Sequence, residues 1–301
     1  MEIESKISLA IARIDSAVQQ FKPVAVFGLF SGGHDSVTAT KIASLHGSFT
    51  SAVHINTGIG IKRTRQYVRE TAAQQNWPLK EYSAADNVNA AGEPDPQIYY
   101  DIVMEHGFPG PSSHRMMYAR LKERCLRMLQ RDWQCTAKAS SPRRVLFISG
   151  ARSEESTRRM ANTHEVQEDG QRIWVAPIHD WTKLECGKLM QYFRIPRNPV
   201  VDLIHKSGEC LCGAFAQPGE LAELNQWDET RDAYNEIMAL QKEVLAAGLP
   251  WGWEDSPPDL FQEKKAGQEF LFDYDQPQSL CWSCTKATPP AETACRPDVS
   301  G

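Results

Sequence analysis

The sequence predicts an α/β fold: an open, mostly parallel sheet with helices on both faces, plus a smaller C-terminal helical module that contains cysteines. Three observations carry this. Short β-rich apolar runs at residues 24–30, 49–57, 144–149 and 172–177 read as strands. Segments of helical composition stand between them, the pattern of βαβ units in a sheet covered on both faces. The strands run out into Gly-, Ser- and Asn-containing turns, at the edge where such sheets hold their ligands.

Composition sets the outer limits. The 301 residues suffice for one substantial core and a smaller module. Charged residues at 24% and hydrophobic residues at 41% are ordinary for a soluble globular chain. A net charge of −5 argues against a protein that coats nucleic acid indiscriminately, while leaving room for a local basic groove. No apolar run approaches the ~20 residues of a membrane span. Met1-Glu-Ile-Glu-Ser-Lys-Ile7 has no signal-peptide core, so a cytoplasmic location is expected. There the eight cysteines are expected as ligands, catalysts or packed thiols rather than disulfides.

Taken in order, Ile3, Ile7, Leu9, Ile11, Ile14 and Val18 predict a leading helix over residues 2–20. The first strand follows a proline and runs into Ser31-Gly-Gly-His-Asp-Ser36, after which residues 37–46 return to helical spacing. A strand, a Ser/Gly turn and a helix make a place to hold phosphate. The glycines let the backbone approach, and the free N–H groups at the positive helix end face the anion. Ser31 and Ser36 add hydroxyls, and Asp35 is placed to hold Mg²⁺. The string is neither G-x-x-x-x-G-K-[ST] nor G-x-G-x-x-G. The second strand ends in Asn56-Thr57-Gly58 at the same sheet edge, and a helix over 62–75 is stopped by Trp77-Pro78. Residues 83–113, rich in Pro, Gly, Asp and Asn, read as a loop-dominated connection and a candidate substrate lid.

Residues 112–132 read as a helix carrying Arg115, Arg120, Lys122, Arg124, Arg127 and Arg131. Arg120, Arg124, Arg127 and Arg131 recur every three or four residues and share one face. Two readings stand side by side: a track for the phosphates of a nucleotide or a nucleic acid strand, or a solvated helix face. The third strand runs into Gly150-Ala-Arg-Ser-Glu-Glu-Ser-Thr-Arg-Arg159. Gly150 frees the backbone at the strand end. Arg152, Arg158 and Arg159 make a guanidinium cluster suited to phosphate or sulfate, with Glu155 placed to orient one of them. After the fourth strand a helix begins behind His179-Asp-Trp-Thr182, with Asp180 or Thr182 as its N-cap. Leu221, Leu224, Trp227, Tyr234, Ile237, Leu240 and Val244 predict one helix over residues 220–247.

These strings carry a resemblance. Ser31-Gly-Gly-His-Asp-Ser36 resembles the PP-loop of the ATP-pyrophosphatase and adenine nucleotide α-hydrolase superfamily. Gly150, Arg152, Glu155, Ser156 and Arg159 resemble the G-x-R-x-x-E-S-x-x-R signature of its phosphoadenosine phosphosulfate (PAPS) reductase family. Asn56-Thr57-Gly58, Pro177 with Asp180-Trp-Thr182, and Asn198-Pro199 resemble further landmarks in the same order, so the resemblance covers roughly residues 20–215. It implies an adenine nucleotide α-hydrolase-like fold holding ATP or a sulfonucleotide with Mg²⁺. The implied pocket is lined by Ser31, Gly32, Gly33, His34, Asp35, Ser36, Asn56, Thr57, Gly58, Gly150, Arg152, Glu155 and Arg159, with Asp35 and Arg152 in catalytic roles. His34 stands where relatives often have lysine, which leaves Arg152 and Arg159 as the expected phosphate counter-ions.

Two cysteine pairs, Cys210-Leu-Cys212 and Cys281-Trp-Ser-Cys284, have the spacing of thiolates that turn toward one ion, and together they supply a four-sulfur site. The helix over 220–247 is read as the arm that joins the pairs. Spacing does not separate iron–sulfur from zinc, and Cys125 or Cys295 stands as an alternative ligand. The resemblance implies a [4Fe–4S] cluster, with Zn²⁺ as the alternative. Cys135 and Cys186 read as structural. Glu185-Cys-Gly187 matches the Glu-Cys-Gly of sulfonucleotide reductases in letters, but it sits in a helix rather than in a mobile tail.

The expected organisation is a PP-loop nucleotide-binding domain over 1–205, a cysteine-ligand and helical module over 206–288, and a flexible tail over 289–301 with Pro289, Pro290 and Pro297. The leading functional expectation is ATP-dependent adenylation coupled to sulfur transfer at a metal–sulfur site, on a small molecule or on nucleic acid bound along Arg115, Arg120, Arg124, Arg127 and Arg131. A sulfonucleotide reductase fed by a thioredoxin-type reductant is the second. A nucleotide-binding subunit of a complex, without turnover, is the third.

Overall fold

The chain opens with α1 (Ile3–Phe21), whose buried Ile7, Ala10, Ile14 and Ala17 form one stripe. There follow β1 (Ala25–Leu29), α2 (His34–Ser44), β2 (Phe49–Asn56), α3 (Lys62–Gln74), β3 (Leu79–Ser83) and α4 (Tyr99–His106). Next come α5 (His114–Tyr118), a π-helical turn (Ala119–Glu123) and α6 (Arg124–Asp132). The remainder is β4 (Val145–Ile148), β5 (Val166–Asp169), β6 (Arg172–Val175), α7 (Lys183–Tyr192), α8 (Pro199–Ile204), α9 (Glu220–Gln226) and α10 (Asp228–Ala246). The computed structural model describes residues 2–135, 143–155, 164–249 and 251–255.

The strands form one six-stranded sheet in the order β3-β2-β1-β4-β6-β5, parallel except for β5, which pairs antiparallel with β6 at the edge. Side-chain alternation divides the core cleanly. Val26, Leu146 and Ile173 lie in register and join the cluster built with α1, α2 and α7. One residue along, Phe27, Phe147 and Trp174 are also in register and face the opposite layer with Leu126 and Leu129 of α6. Their rings pack at centroid distances of 6.1 Å and 5.1 Å. A third cluster lies away from both. It joins Ile59 and Ile61, after β2, to Tyr99, Ile102, Met117, Leu121, Val200, Leu211, Ile237, Val244, Trp251 and Trp253. Residues after 205 therefore pack directly on segments from the first half of the chain.

The four predicted strands and the leading helix are present, and two strands were missed. β3 is short and half-exposed, and β5, Val-Gln-Glu-Asp, is an edge strand with no buried residue, so neither carries an apolar alternation. The connection over 83–113 contains α4, which buries Tyr99, Ile102 and Val103. The single helix expected over 220–247 is two. The backbone becomes extended at Trp227 (φ −119°, ψ 140°), and the Thr230 hydroxyl donates to the Leu224 carbonyl at 2.5 Å, closing the first helix as the second begins. Thr182 rather than Asp180 caps α7, in a capping box with Glu185, while Asp180 pairs with Arg13 of α1.

Candidate functional site

The sheet order places a topological switch at β1 and β4. From β1 the chain builds outward through β2 to β3, then returns to the other side for β4 and β6. Ligands of such sheets sit in the crevice at the carboxyl ends of these two strands. Residues 31–36 follow β1 there, and residues 149–155 follow β4.

The loop after β1 is shaped from both sides. Gly32 has φ +82°, and a Cβ there would meet Thr64 Cγ2 at 2.6 Å, so both conformation and space require glycine. Its carbonyl accepts from Asn198 Nδ2 at 2.9 Å, and Asn198, fully buried, also donates to Thr64 Oγ1 at 3.2 Å. Thr64 in turn donates to the Ser207 carbonyl at 2.5 Å. Gly33 is the N-cap of α2 and offers no side chain, so the first helical N–H groups are left for a ligand. Ser31 Oγ lies 3.2 Å from Ser36 Oγ, and Ser36 Oγ donates to the Gly33 carbonyl at 2.8 Å. Gly150 presses on this helix start: a Cβ there would sit 2.6 Å from both the Asp35 carbonyl carbon and the Ser36 nitrogen.

Asp35 and Arg152 are brought together. Arg152 Nε lies 3.0 Å from Asp35 Oδ1, with the guanidinium almost fully buried, and Nη1 donates to the Trp181 carbonyl at 3.2 Å. The Asp-Trp-Thr segment thus anchors the arginine at the phosphate loop. Glu154 Oε2 is a further contact at 3.4 Å. Glu155 ends a 3₁₀ turn (Ser153–Glu155), while Ser156, Arg158 and Arg159 lie outside the described residues. His34 is buried at the first position of α2. Burial, with Arg197 nearby, lowers its pKa to about 4, so the imidazole is neutral near pH 7. A neutral histidine supplies no fixed positive charge to the loop.

Asn56, Thr57 and Gly58 form the neighbouring turn: Asn56 Oδ1 accepts from Gly58 N at 2.9 Å, and Gly58 has φ +81°. Two side chains that sequence reasoning missed lie beneath it. Glu209, buried, accepts from Thr57 N at 3.4 Å, and its Oε2 is 3.2 Å from His54 Nε2. Ser149 was also missed: its buried hydroxyl, one residue before Gly150, has no partner among the described residues. A signal existed for His54, the one imidazole among the buried residues of β2, but none for Glu209.

Fit to the implied cofactors differs between them. Mg²⁺ needs one or two carboxylates beside phosphate oxygens, and Asp35 at the cradle meets that minimum while also facing Arg152. Among the described residues no group of three or more His, Cys, Asp or Glu stands ready for a metal. Cys210 is half-buried and Cys212 buried, and both line a cavity of about 10 Å³ with His114, Met117, Tyr118, Leu121 and Lys122. That is room for about one water. Cys281, Cys284 and Cys295 lie outside the described residues. Cys125 lies in a different buried cluster from Cys210 and Cys212. It belongs to the opposite core layer with Phe27 and Leu129, burial pushes its thiol up to about 12, and it donates to the Leu121 carbonyl at 3.4 Å.

The arginines of the π turn and α6 are engaged locally. Arg120 donates to Gln97 at 2.8 Å, Arg124 to the Asp95 carboxylate at 2.9 Å, and Arg131 to Asn87 at 2.6 Å. They hold the 87–97 connection in place. Arg127, whose side chain is 69% exposed, faces Glu123 at 3.1 Å.

Comparison with known proteins gives the family. The profile of the phosphoadenosine phosphosulfate reductase domain matches residues 25–208, from β1 to the segment before Glu209. The chain belongs to this family. Among solved structures, the PAPS reductase of Candida auris in a phosphate complex is similar over 64% of this chain and 84% of its own, at 15% identity and TM-score 0.45. The FMN adenylyltransferase of Candida glabrata with FAD and inorganic pyrophosphate is similar over 67% of this chain and 61% of its own, at 10% identity and TM-score 0.43. A search of curated proteins finds no match. No helix among the described residues is long and apolar enough to cross a membrane.

Proposed function

We propose that this PAPS reductase-family chain binds ATP at the β1/β4 crevice and uses it to adenylate an acceptor destined for sulfur transfer. The observation that carries the reading is the uncapped start of α2, framed by Gly32, Gly33 and Gly150 with the Asp35–Arg152 pair at its side. In the reaction an acceptor oxygen attacks the α-phosphorus, the bond to the bridging oxygen breaks, and pyrophosphate leaves with the developing charge. The backbone N–H groups of α2 and the loop stabilise that charge, which is worth most in a site closed to water. Bound Mg²⁺ would supply further charge neutralisation beside Asp35. A sulfur nucleophile then displaces AMP from the adenylated acceptor.

A four-thiolate site from Cys210, Cys212, Cys281 and Cys284 is the proposed sulfur-handling centre, with zinc as the alternative metal. Its support is where the described chain ends: Trp253 Nε1 donates to the Leu211 carbonyl at 2.8 Å, which holds residues 251–255 beside the Cys210–Cys212 loop, ahead of Cys281 and Cys284 in the sequence. The test of the main reading is conversion of labelled ATP to AMP and pyrophosphate by anaerobically purified protein, with nucleic acid and small-molecule acceptors. Absence of turnover, or turnover unchanged by Asp35→Ala, sinks it. Absorbance of the same sample decides the centre: a broad band near ~400 nm that bleaches on reduction means iron–sulfur.

The matched domain supports a second reading, sulfonucleotide reduction. Sulfite release from PAPS with a thioredoxin-type reductant would establish it. Cys186 is not suited to serve as the nucleophile, because it is buried in α7 and burial raises its thiol pKa well above the ordinary value.

A further inference from the structure

Segment 207–211, which delivers Cys210, is stitched to both nucleotide turns. Toward the phosphate loop, the Ser207 carbonyl accepts from Thr64, which shares Asn198 with Gly32. Toward the turn after β2, the Thr57 hydroxyl donates to the Glu209 carbonyl at 2.7 Å. Ile61 N donates to Gly208 O and Leu211 N to Ile59 O, each at 2.9 Å, which sews the two strands of chain together on either side. The Glu209 carboxylate then reaches inward to His54 at 3.2 Å, with Arg65 Nε at 3.6 Å on its other oxygen. His54 Nδ1 meets the Phe30 carbonyl at 2.8 Å, one residue before Ser31. The centre of this network is buried: the His54 and Glu209 side chains are 1% and 5% exposed.

An ionised carboxylate in such a place is costly unless it is paired, and removing one partner leaves the other stranded. Glu209 is therefore not free to shift independently of Thr57 and His54. We infer that Glu209 and His54 are positioning residues that couple the Cys210–Cys212 loop to the two nucleotide turns, so that nucleotide occupancy and the accessibility of the Cys210 thiol are linked. The inference rests on the nucleotide reading above and adds its consequence for the cysteine loop. Filling the cradle holds Gly32, Phe30 and the Asn56–Gly58 turn in place. Through His54 and Glu209 the loop bearing Cys210 is held as well.

The test is the rate of iodoacetamide alkylation at Cys210 in the full chain, followed by peptide mass spectrometry, with and without saturating Mg·ATP whose binding is measured separately by calorimetry. Expected is a slowing of about fivefold or more with ATP in the wild type, the lower end of ordinary coupling between sites. In Glu209→Gln, ATP should still bind but the slowing should fall below twofold. Thr57→Val, which removes one latch at almost constant volume, should reduce it too and serves if Glu209→Gln does not fold. A wild type that binds ATP with Cys210 alkylation unchanged overturns the coupling and leaves the nucleotide reading intact. Full slowing retained in both variants overturns the role of Glu209. A wild type that does not bind ATP overturns the nucleotide reading and the coupling with it.

Discussion

Gly150→Ala tests the cradle with one methyl group. The added Cβ would stand 2.6 Å from the Asp35 carbonyl carbon and the Ser36 nitrogen, whereas ordinary contact begins at 3.4 Å, so β4 or the start of α2 must yield by about 0.8 Å. Neither neighbour is a side chain that can swing away; both are backbone of a buried helix start. Overpacking of this kind costs roughly 1–3 kcal/mol of stability. The larger effect falls on the ligand, since a displacement approaching 1 Å at a positioned site can cost about a hundredfold. Calorimetric titration with Mg·ATP, on protein whose circular dichroism matches wild type, should show affinity reduced by about ten- to a hundredfold. Gly150→Ala protein binding ATP within twofold of wild type would refute the placement of phosphate at this helix start.

Other perturbations separate support from chemistry. Asn198→Ala should cost about 2–4 kcal/mol in urea unfolding, because it strands the Gly32 carbonyl and removes the cap that Asn198 Oδ1 gives Val200 N at 3.1 Å. Gly187→Ala, at a helical position where an added Cβ meets nothing within 4 Å, should stabilise by about 0.5–1 kcal/mol and leave ATP binding unchanged. Weakened ATP binding there would return the Glu185-Cys-Gly187 string to consideration. His34, neutral in the folded chain down to about pH 4, takes up its proton near 6.5 once unfolded. Stability should therefore fall as pH drops from about 6.5 to 4, by at most about 3 kcal/mol, and His34→Gln should flatten that slope in urea titrations at pH 7 and 5. Parallel slopes in the two proteins would count against it.

What the sequence reveals here tracks how local the physics is. β1, β2, β4 and β6 are buried runs and announce themselves, and the turn at Ser31–Ser36 is legible because its glycines serve a bend made by adjacent residues. β3 and β5 lie at the sheet edges, where solvent removes the apolar pattern. Thr57 and Glu209 are 152 positions apart, and nothing near either one identifies the other. Helical spacing groups Arg120, Arg124, Arg127 and Arg131 on one face; three of them meet the 87–97 connection while Arg127 pairs with Glu123, a difference on which spacing is silent. The π turn has no composition of its own. It shows itself only through Glu123, which Arg172 of β6 grips with two hydrogen bonds of 2.8 Å.

Those arginines have a consequence for salt. Affinity for a polyanion grows with the number of counterions that its binding displaces, each phosphate neutralised adding about −0.9 to the slope of log K against log salt on duplex DNA. Arg124 faces a carboxylate, Asp95 at 2.9 Å, while Arg120 and Arg131 donate to the neutral amides of Gln97 and Asn87 and keep their charge, so a strand lying on this face would replace hydrogen bonds at all three and an ion pair at one. Breaking those bonds would also release the 87–97 connection. A helix face that carries four arginines in the sequence should therefore give a salt slope shallower than four neutralised phosphates, because Arg124 and Arg127 already face the carboxylates of Asp95 and Glu123.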